Sequence, residues 1–198
     1  MRLDDVRPVQ YGDVLVEGER WPGIIHVIEH PLGRLLVDTG MIDSTPELDA
    51  EWSPRIRPET IPREVVAVIN THLHFDHCGG NRLFVGTPIH VQRDERLLAR
   101  DPEYTVPEWV EFEGATYVEH DGEAEVAPGI RVVPTPGHTP AHQSVVVETD
   151  DGLVVVGGDV AYTWAEFDAP ENESARKLEQ LRPRRIWLAH EAAPREAP

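Results

Sequence analysis

Within six positions the chain carries three imidazoles and a carboxylate, in the run His72-Leu73-His74-Phe75-Asp76-His77. Neutral imidazole and ionised carboxylate are ligands for zinc and its first-row neighbours. Four such groups crowded into an apolar core would carry a severe desolvation cost, which a pair of cations would relieve. His72 and His74 are two residues apart, so an extended backbone points both the same way and lets them grip one metal. Asp76 and His77 follow where the chain should turn, and can address a second metal. Two cations ~3.5–4 Å apart are a setting for a bridging hydroxide nucleophile, so the pattern points to a hydrolytic centre.

The elements that must position these groups read as strands ending at the chemistry. Glu64–Asn70 is a nearly continuous β-branched run and leads directly into His72. Gly23–Glu29 and Arg34–Val37 read as a hairpin turned at Pro31-Leu32-Gly33 and closed by Asp38-Thr39-Gly40. Pro88–Gln92 and Ile130–Val133 are further short strands. Ser144–Glu148 and Leu153–Val156 flank Asp150-Asp151-Gly152, a hairpin turn signal. Ile186–Leu188 is the last strand, while Asp94–Arg100 and Glu171–Leu181 have helical patterning. Three more metal-type residues stand just past apolar strands: His138 after Val132-Val133 and a Pro-Thr-Pro-Gly turn, Asp159 after Val154–Val156, and His190 after Ile186–Leu188. Strand ends gathered at one edge would bring all seven together. The two strand-rich halves, each with later helical segments, predict two sheets packed face to face with helices outside.

Composition narrows the function. The 198 residues are enough for one domain with a sizeable core. Thirty-six acidic against 18 basic residues give a net charge of −18, which repels nucleic acid and anionic membranes and favours a neutral or weakly polar small molecule. There is no 18-residue apolar run and no apolar segment behind Met1-Arg2-Leu3-Asp4-Asp5. The single cysteine, Cys78, excludes an intrachain disulfide and is read as a small packed residue. A cytoplasmic location is the expectation.

The ordered set His72, His74, Asp76, His77, His138, Asp159 and His190, with Asp38-Thr39-Gly40 at an early strand end, resembles the metallo-β-lactamase superfamily over nearly the whole chain. The resemblance implies an α+β fold, an αββα four-layer sandwich of two mixed sheets, as a single domain over 1–198. It implies two divalent metal ions, zinc first, with iron, cobalt or manganese also suited to mixed nitrogen and oxygen ligands. His72, His74 and His138 would hold one ion, Asp76, His77 and His190 the other, and Asp159 would bridge. Thr71–Asn81, Thr87–Arg93 and Thr135–Ser144 are similar to the quorum-quenching N-acyl-homoserine lactone hydrolases, and Tyr162 stands three residues after Asp159, where those enzymes carry a tyrosine aimed at the substrate carbonyl.

The implied reaction is lactone opening by a metal-bridging hydroxide. Tyr162 would steady the oxyanion, and Asp76 would carry the proton to the departing alkoxide. The alternative is another hydrolase of this superfamily acting on a different lactone, ester or thioester, of the glyoxalase II type. The stretches before Gly23 and between Tyr162 and His190 are shorter than in those lactonases, which leaves the substrate less constrained than the chemistry. A homodimer is compatible with the resemblance. Asp38 is expected to orient an imidazole, His142 to be a packed structural imidazole, and His26, His30, His90 and His120 to be structural. Trp21, near the pocket rim, and Trp164, close after Tyr162, could each contact an acyl chain, with core or surface packing the favoured reading.

Overall fold

A computed structural model describes residues 1–196. The first half of the chain contributes strands β1 (Val6–Val16), β2 (Glu19–His30), β3 (Gly33–Val37), β4 (Arg55–Ile56), β5 (Ala67–Ile69), β6 (Pro88–Gln92) and β7 (Thr116–His120). The second contributes β8 (Ala124–Ala127), β9 (Ile130–Pro134), β10 (Gln143–Thr149), β11 (Gly152–Val156), β12 (Arg185–Trp187) and β13 (Arg195–Glu196). Helices α1 (Pro46–Trp52), α2 (Phe75–Cys78), α3 (Arg93–Leu98) and α4 (Pro107–Val110) follow strands of the first half, and α5 (Trp164–Phe167) and α6 (Glu173–Gln180) those of the second. The strands form two sheets, ordered β4-β1-β2-β3-β5-β6-β7 and β13-β12-β11-β10-β9-β8. Both are mixed: β3, β5, β6 and β7 run parallel beside the antiparallel β1-β2-β3, and β11-β12 is a parallel pair in an otherwise antiparallel sheet.

The continuous apolar runs in the sequence follow from burial on both faces of each sheet, since alternate side chains point to opposite sides. Between the sheets, Ile28, Leu35, Val37 and Ile69 meet Val132, Val145, Val147, Val154 and Val156. The residues between them point the other way. Ile25, Val27, Leu36 and Val68 pack with Ile61, Phe84 and Trp109 beyond the first sheet. Val133, Val146 and Val155 pack with Phe167, Ala175 and Leu178 beyond the second. The αββα order implied by the resemblance is therefore present.

The structure corrects several element boundaries. The stretch before Gly23, where the sequence reading assigns no element, is strand: β1 and β2 pair over most of their length, with a register shift between Gln10 and Gly12. Pro8 and Gly12 hid β1 from a reading of periodicity; Pro8 is tolerated because β4 pairs β1 only at Gly12 and Asp13. The Glu64–Asn70 run is a strand only over Ala67–Ile69. Strands β7 and β8 are half-buried and carry weak apolar signals. Among the described residues no helix is long and apolar enough to cross a membrane.

His26 faces the inter-sheet core against Trp187, with ring centroids 5.4 Å apart, and its Nε2 has no hydrogen-bond partner. Burial lowers its pKa to about 3. The unfolded chain therefore binds the proton more readily, so the neutral ring's contribution is present above the unfolded pKa near 6.5 and is lost as pH falls toward 3. Between pH 7 and pH 5 this one group should remove about 2 kcal/mol of stability. Denaturant titrations at the two pH values should show His26→Phe losing about that much less than the parent; an equal loss in both would rule out His26 as an acid-labile group.

Candidate metal centre

The strand directions bring the seven residues to one end of the sandwich. Strands β9 and β11 both run antiparallel to β10, and β12 runs parallel to β11, so all three end on the same side. They deliver His138, Asp159 and His190. In the other sheet the parallel β3 and β5 end at Asp38 and His72. Gln143, fully buried at the start of β10, stitches the sheets here: its backbone N–H donates to Thr71 O at 2.9 Å and its side-chain amide to Asn70 O at 2.7 Å. The short helix α2 then sets Asp76 and His77.

Two groups of ligand atoms result. His72 Nε2, His74 Nδ1 and His138 Nε2 form a triangle with sides of 3.1, 2.9 and 3.1 Å. A tetrahedral zinc ion with bonds of ~2.0–2.1 Å separates its ligands by about 3.3 Å, so the triangle is close to one face of such a tetrahedron. In the second group, Asp76 Oδ2 lies 3.6 Å from His77 Nε2 and 3.7 Å from His190 Nε2. Asp159 Oδ2 stands between the groups, at 3.3 and 3.4 Å from His77 and His190 and 3.6 and 3.9 Å from His138 and His72.

For four of the five rings the far side explains the near side. His190 Nδ1 lies 2.9 Å from Pro22 O, which can only accept, so that nitrogen carries the proton and Nε2 presents a lone pair. His77 Nδ1 likewise donates to Asp38 Oδ2 at 2.9 Å. Thr71 Oγ1 donates to the same carboxylate at 2.8 Å, leaving its own lone pairs to accept from His72 Nδ1 at 3.1 Å. His138 Nδ1 is 2.8 Å from the Tyr162 hydroxyl. Lone pairs converge on one buried spot, where His77 Nε2 and Asp159 Oδ1 have no hydrogen-bond partner. Facing lone pairs repel unless a cation lies between them, so this donor set fits divalent metal ions.

Electrostatics agree. Burial holds the His72 pKa well below its ordinary value and that of His74 down to about 4, keeping both neutral and able to ligate. Burial opposes charge on His77 too, but Asp159, Asp76 and Asp38 outweigh it and hold its pKa well above the ordinary value. Burial would raise the Asp159 pKa, yet His77 and His190 hold it well below the usual carboxylate range. The carboxylates thus call for positive charge at this point.

Asp38 does the expected orienting and more. It sits at φ 59°, in the left-handed region, 3% exposed. Its Oδ1 accepts from Thr71 N at 2.7 Å while Oδ2 takes Thr71 Oγ1 and His77 Nδ1. Backbone strain of order 1–3 kcal/mol is held here by three hydrogen bonds. His142 is packed, as expected, and has a further task. Its Nδ1 lies 2.8 Å from Thr135 Oγ1, and its Nε2 accepts from the Asp159 backbone N–H at 3.1 Å. Gly158, at φ 61°, lets that loop pass, since a Cβ there would collide with Thr71 and the His142 ring.

One residue escaped the sequence reading. Glu95, in α3, looks like an ordinary charged helix position, but it is fully buried. Its Oε2 accepts from Leu73 N at 3.1 Å and from the Tyr104 hydroxyl at 2.5 Å, and its Oε1 accepts from Thr139 Oγ1. It ties the His72–His74 segment to the His138 turn, and Tyr104 packs on the His74 ring with centroids 4.4 Å apart. No local pattern distinguishes such a glutamate. Trp21 lines the cavity above the cluster, 5.6 Å from the Tyr162 ring. Trp164 packs on Phe167 beneath Arg195, in line with the favoured packing reading. Cys78 is buried and its thiol points to Leu73 O, away from the cluster.

Comparison with known proteins agrees with this geometry. Residues 19–190 match the metallo-beta-lactamase superfamily. An N-acyl homoserine lactonase of Bacillus cereus is 35% identical over 164 residues, covering 72% of this chain and 65% of that protein, so the match spans just under two thirds of the relative. A Bacillus thuringiensis AiiA variant with N-decanoyl-L-homoserine at its active site superposes with a TM-score of 0.81 at 26% identity, over 94% of this chain and 93% of that one. An N-acyl homoserine lactone hydrolase with N-hexanoyl-L-homoserine at its catalytic metal centre gives the same TM-score, identity and coverage.

Glu95→Ala should weaken metal retention about 10- to 100-fold in a chelator competition, the usual effect of losing a group that orients ligands, with Glu95→Gln losing less. Unchanged retention in the alanine variant would show that Glu95 only fills space.

Proposed function

Because this chain belongs to the metallo-beta-lactamase superfamily, we propose that it is a lactonase that opens the ring of N-acyl-homoserine lactones, using two divalent cations. His72, His74 and His138 hold the first, Asp76, His77 and His190 the second, with Asp159 between them. The three-imidazole set suits zinc, while the carboxylate-bearing set also suits iron, cobalt or manganese. Bound there, such cations supply Lewis acidity toward a carbonyl and a hydroxide at neutral pH.

The observation that carries this reading is the place of Tyr162 at the cluster. It lines a cavity of about 750 Å³ together with His74, Asp76, His138, Asp159 and His190, a size that suits a small organic ligand. With His138 Nε2 turned to the cluster, Nδ1 carries the proton and donates to the Tyr162 oxygen. The hydroxyl's own proton is then free to point into the cavity. Burial raises the Tyr162 pKa, so the group stays a donor. A carbonyl seated beside it receives that hydrogen bond most strongly as its oxygen becomes anionic. Asp76, at the start of α2 and on the cavity wall, would carry a proton to the departing ring oxygen. The relatives named as lactonases support this substrate class.

Lactone, thioester and β-lactam substrates assayed side by side should show turnover of the lactone, with proton release as the ring opens. Tyr162→Phe should lower kcat per metal-loaded site by about 10²-fold, the typical cost of one oxyanion donor, with metal content measured alongside because His138 loses its outer acceptor too. Full kcat in that variant would remove Tyr162 from the chemistry. Thioester turnover far above lactone turnover would replace the lactonase reading with a thioesterase.

A further inference from the structure

The cavity above the cluster has apolar walls and an acidic mouth. Val14, Trp21, Trp52 and Phe75 line it as buried or half-buried side chains. Glu47 and Glu51, one helical turn apart in α1, and Glu103 and Glu108, around the start of α4, line it while remaining exposed, which places them at its open rim. None of the four carboxylates makes an ion pair or a side-chain hydrogen bond among the described residues, and no lysine or arginine lines the cavity. At the floor, buried Asp159 keeps an unpartnered oxygen. Four unneutralised charges around one opening, over low-dielectric walls, focus a negative potential on whatever passes.

That potential discriminates between ligands by charge. An acyl lactone is neutral. Its hydrolysis breaks the bond between the acyl carbon and the ring oxygen, adds one water, and yields a carboxylate, a hydroxyl and a released proton. The substrate enters without a charge and the product leaves with one. We propose that the glutamates at the mouth make this a site for uncharged acyl substrates: they disfavour carboxylate-bearing ligands, β-lactams and glutathione thioesters included, and they hasten the departure of the anionic product. The product half of this proposal rests on the lactonase reading above; the charge selection does not.

The test is calorimetric titration of the metal-loaded protein at low ionic strength with octanoate and with octanamide, which share a chain and differ in charge. In the quadruple variant Glu47→Gln, Glu51→Gln, Glu103→Gln, Glu108→Gln, octanoate should bind roughly three- to tenfold more tightly, the scale of four charges acting across about one Debye length. Octanamide should change less than about twofold, and the gain should shrink at high salt as the charges are screened. Neutralising Glu64, Glu113, Glu171 and Glu179, exposed and away from the mouth, should reproduce little of the gain. The double variants Glu47→Gln, Glu51→Gln and Glu103→Gln, Glu108→Gln should each give part of it, and carry the test if the quadruple variant folds poorly. No gain for octanoate, or an equal gain for octanamide, overturns the proposal. Lactone turnover is measured separately: a parent that opens no lactone removes the lactonase reading and the product-release half, whereas the octanoate-to-octanamide ratio still decides charge selection.

Discussion

Nitrogen lone pairs from several rings meet at one buried point because four of the five rings are fixed from behind by hydrogen bonds, while His74 is packed against Tyr104. Pro22 O, Asp38, Thr71 and Tyr162 take the outer nitrogens of His190, His77, His72 and His138. Without those acceptors the imidazoles could turn, protonate or exchange tautomers, and the inner nitrogens would not face one another at about 3 Å. The outer hydrogen bonds therefore decide the chemistry of the inner atoms. Asp38 holds two of the segments at once, from a backbone conformation a non-glycine residue seldom adopts.

The sandwich makes that arrangement stiff. Two sheets, each covered on both faces, leave their strand ends little freedom, and the loops carrying the seven side chains are short. Gln143 and Glu95 then cross-link the loops where they approach, one through backbone hydrogen bonds between sheets, the other through a buried carboxylate between ligand segments. Buried polar groups of this kind are stabilising only when fully satisfied, and both residues meet that condition through several partners.

Charge is arranged in layers around the cavity. Buried carboxylates and imidazoles make the floor receptive to cations, apolar walls follow, and free glutamates stand at the opening. Four of the glutamates behind the overall charge of −18 stand at that opening.

The seven clustered residues were legible in the sequence because each follows an apolar strand, and strand ends are easily read from β-branched runs. The αββα order was legible for a related reason: strands buried on both faces look uniformly apolar. Tyr162 stood out only through the resemblance to the homoserine lactone hydrolases, which carry a tyrosine at that distance from the aspartate matching Asp159. What only the tertiary structure decided are the partners that arrive from far along the chain. Glu95 joins Leu73 and Thr139 across 22 and 44 positions, and Pro22 meets His190 across 168. Strand β1 was hidden by Pro8 and Gly12, which break its periodicity; Pro8 costs little where β4 does not pair, and Gly12 fits where a Cβ would strike Arg55 O. Local sequence carries propensity and ligand chemistry; which nitrogen holds a proton depends on an acceptor that the fold alone brings near.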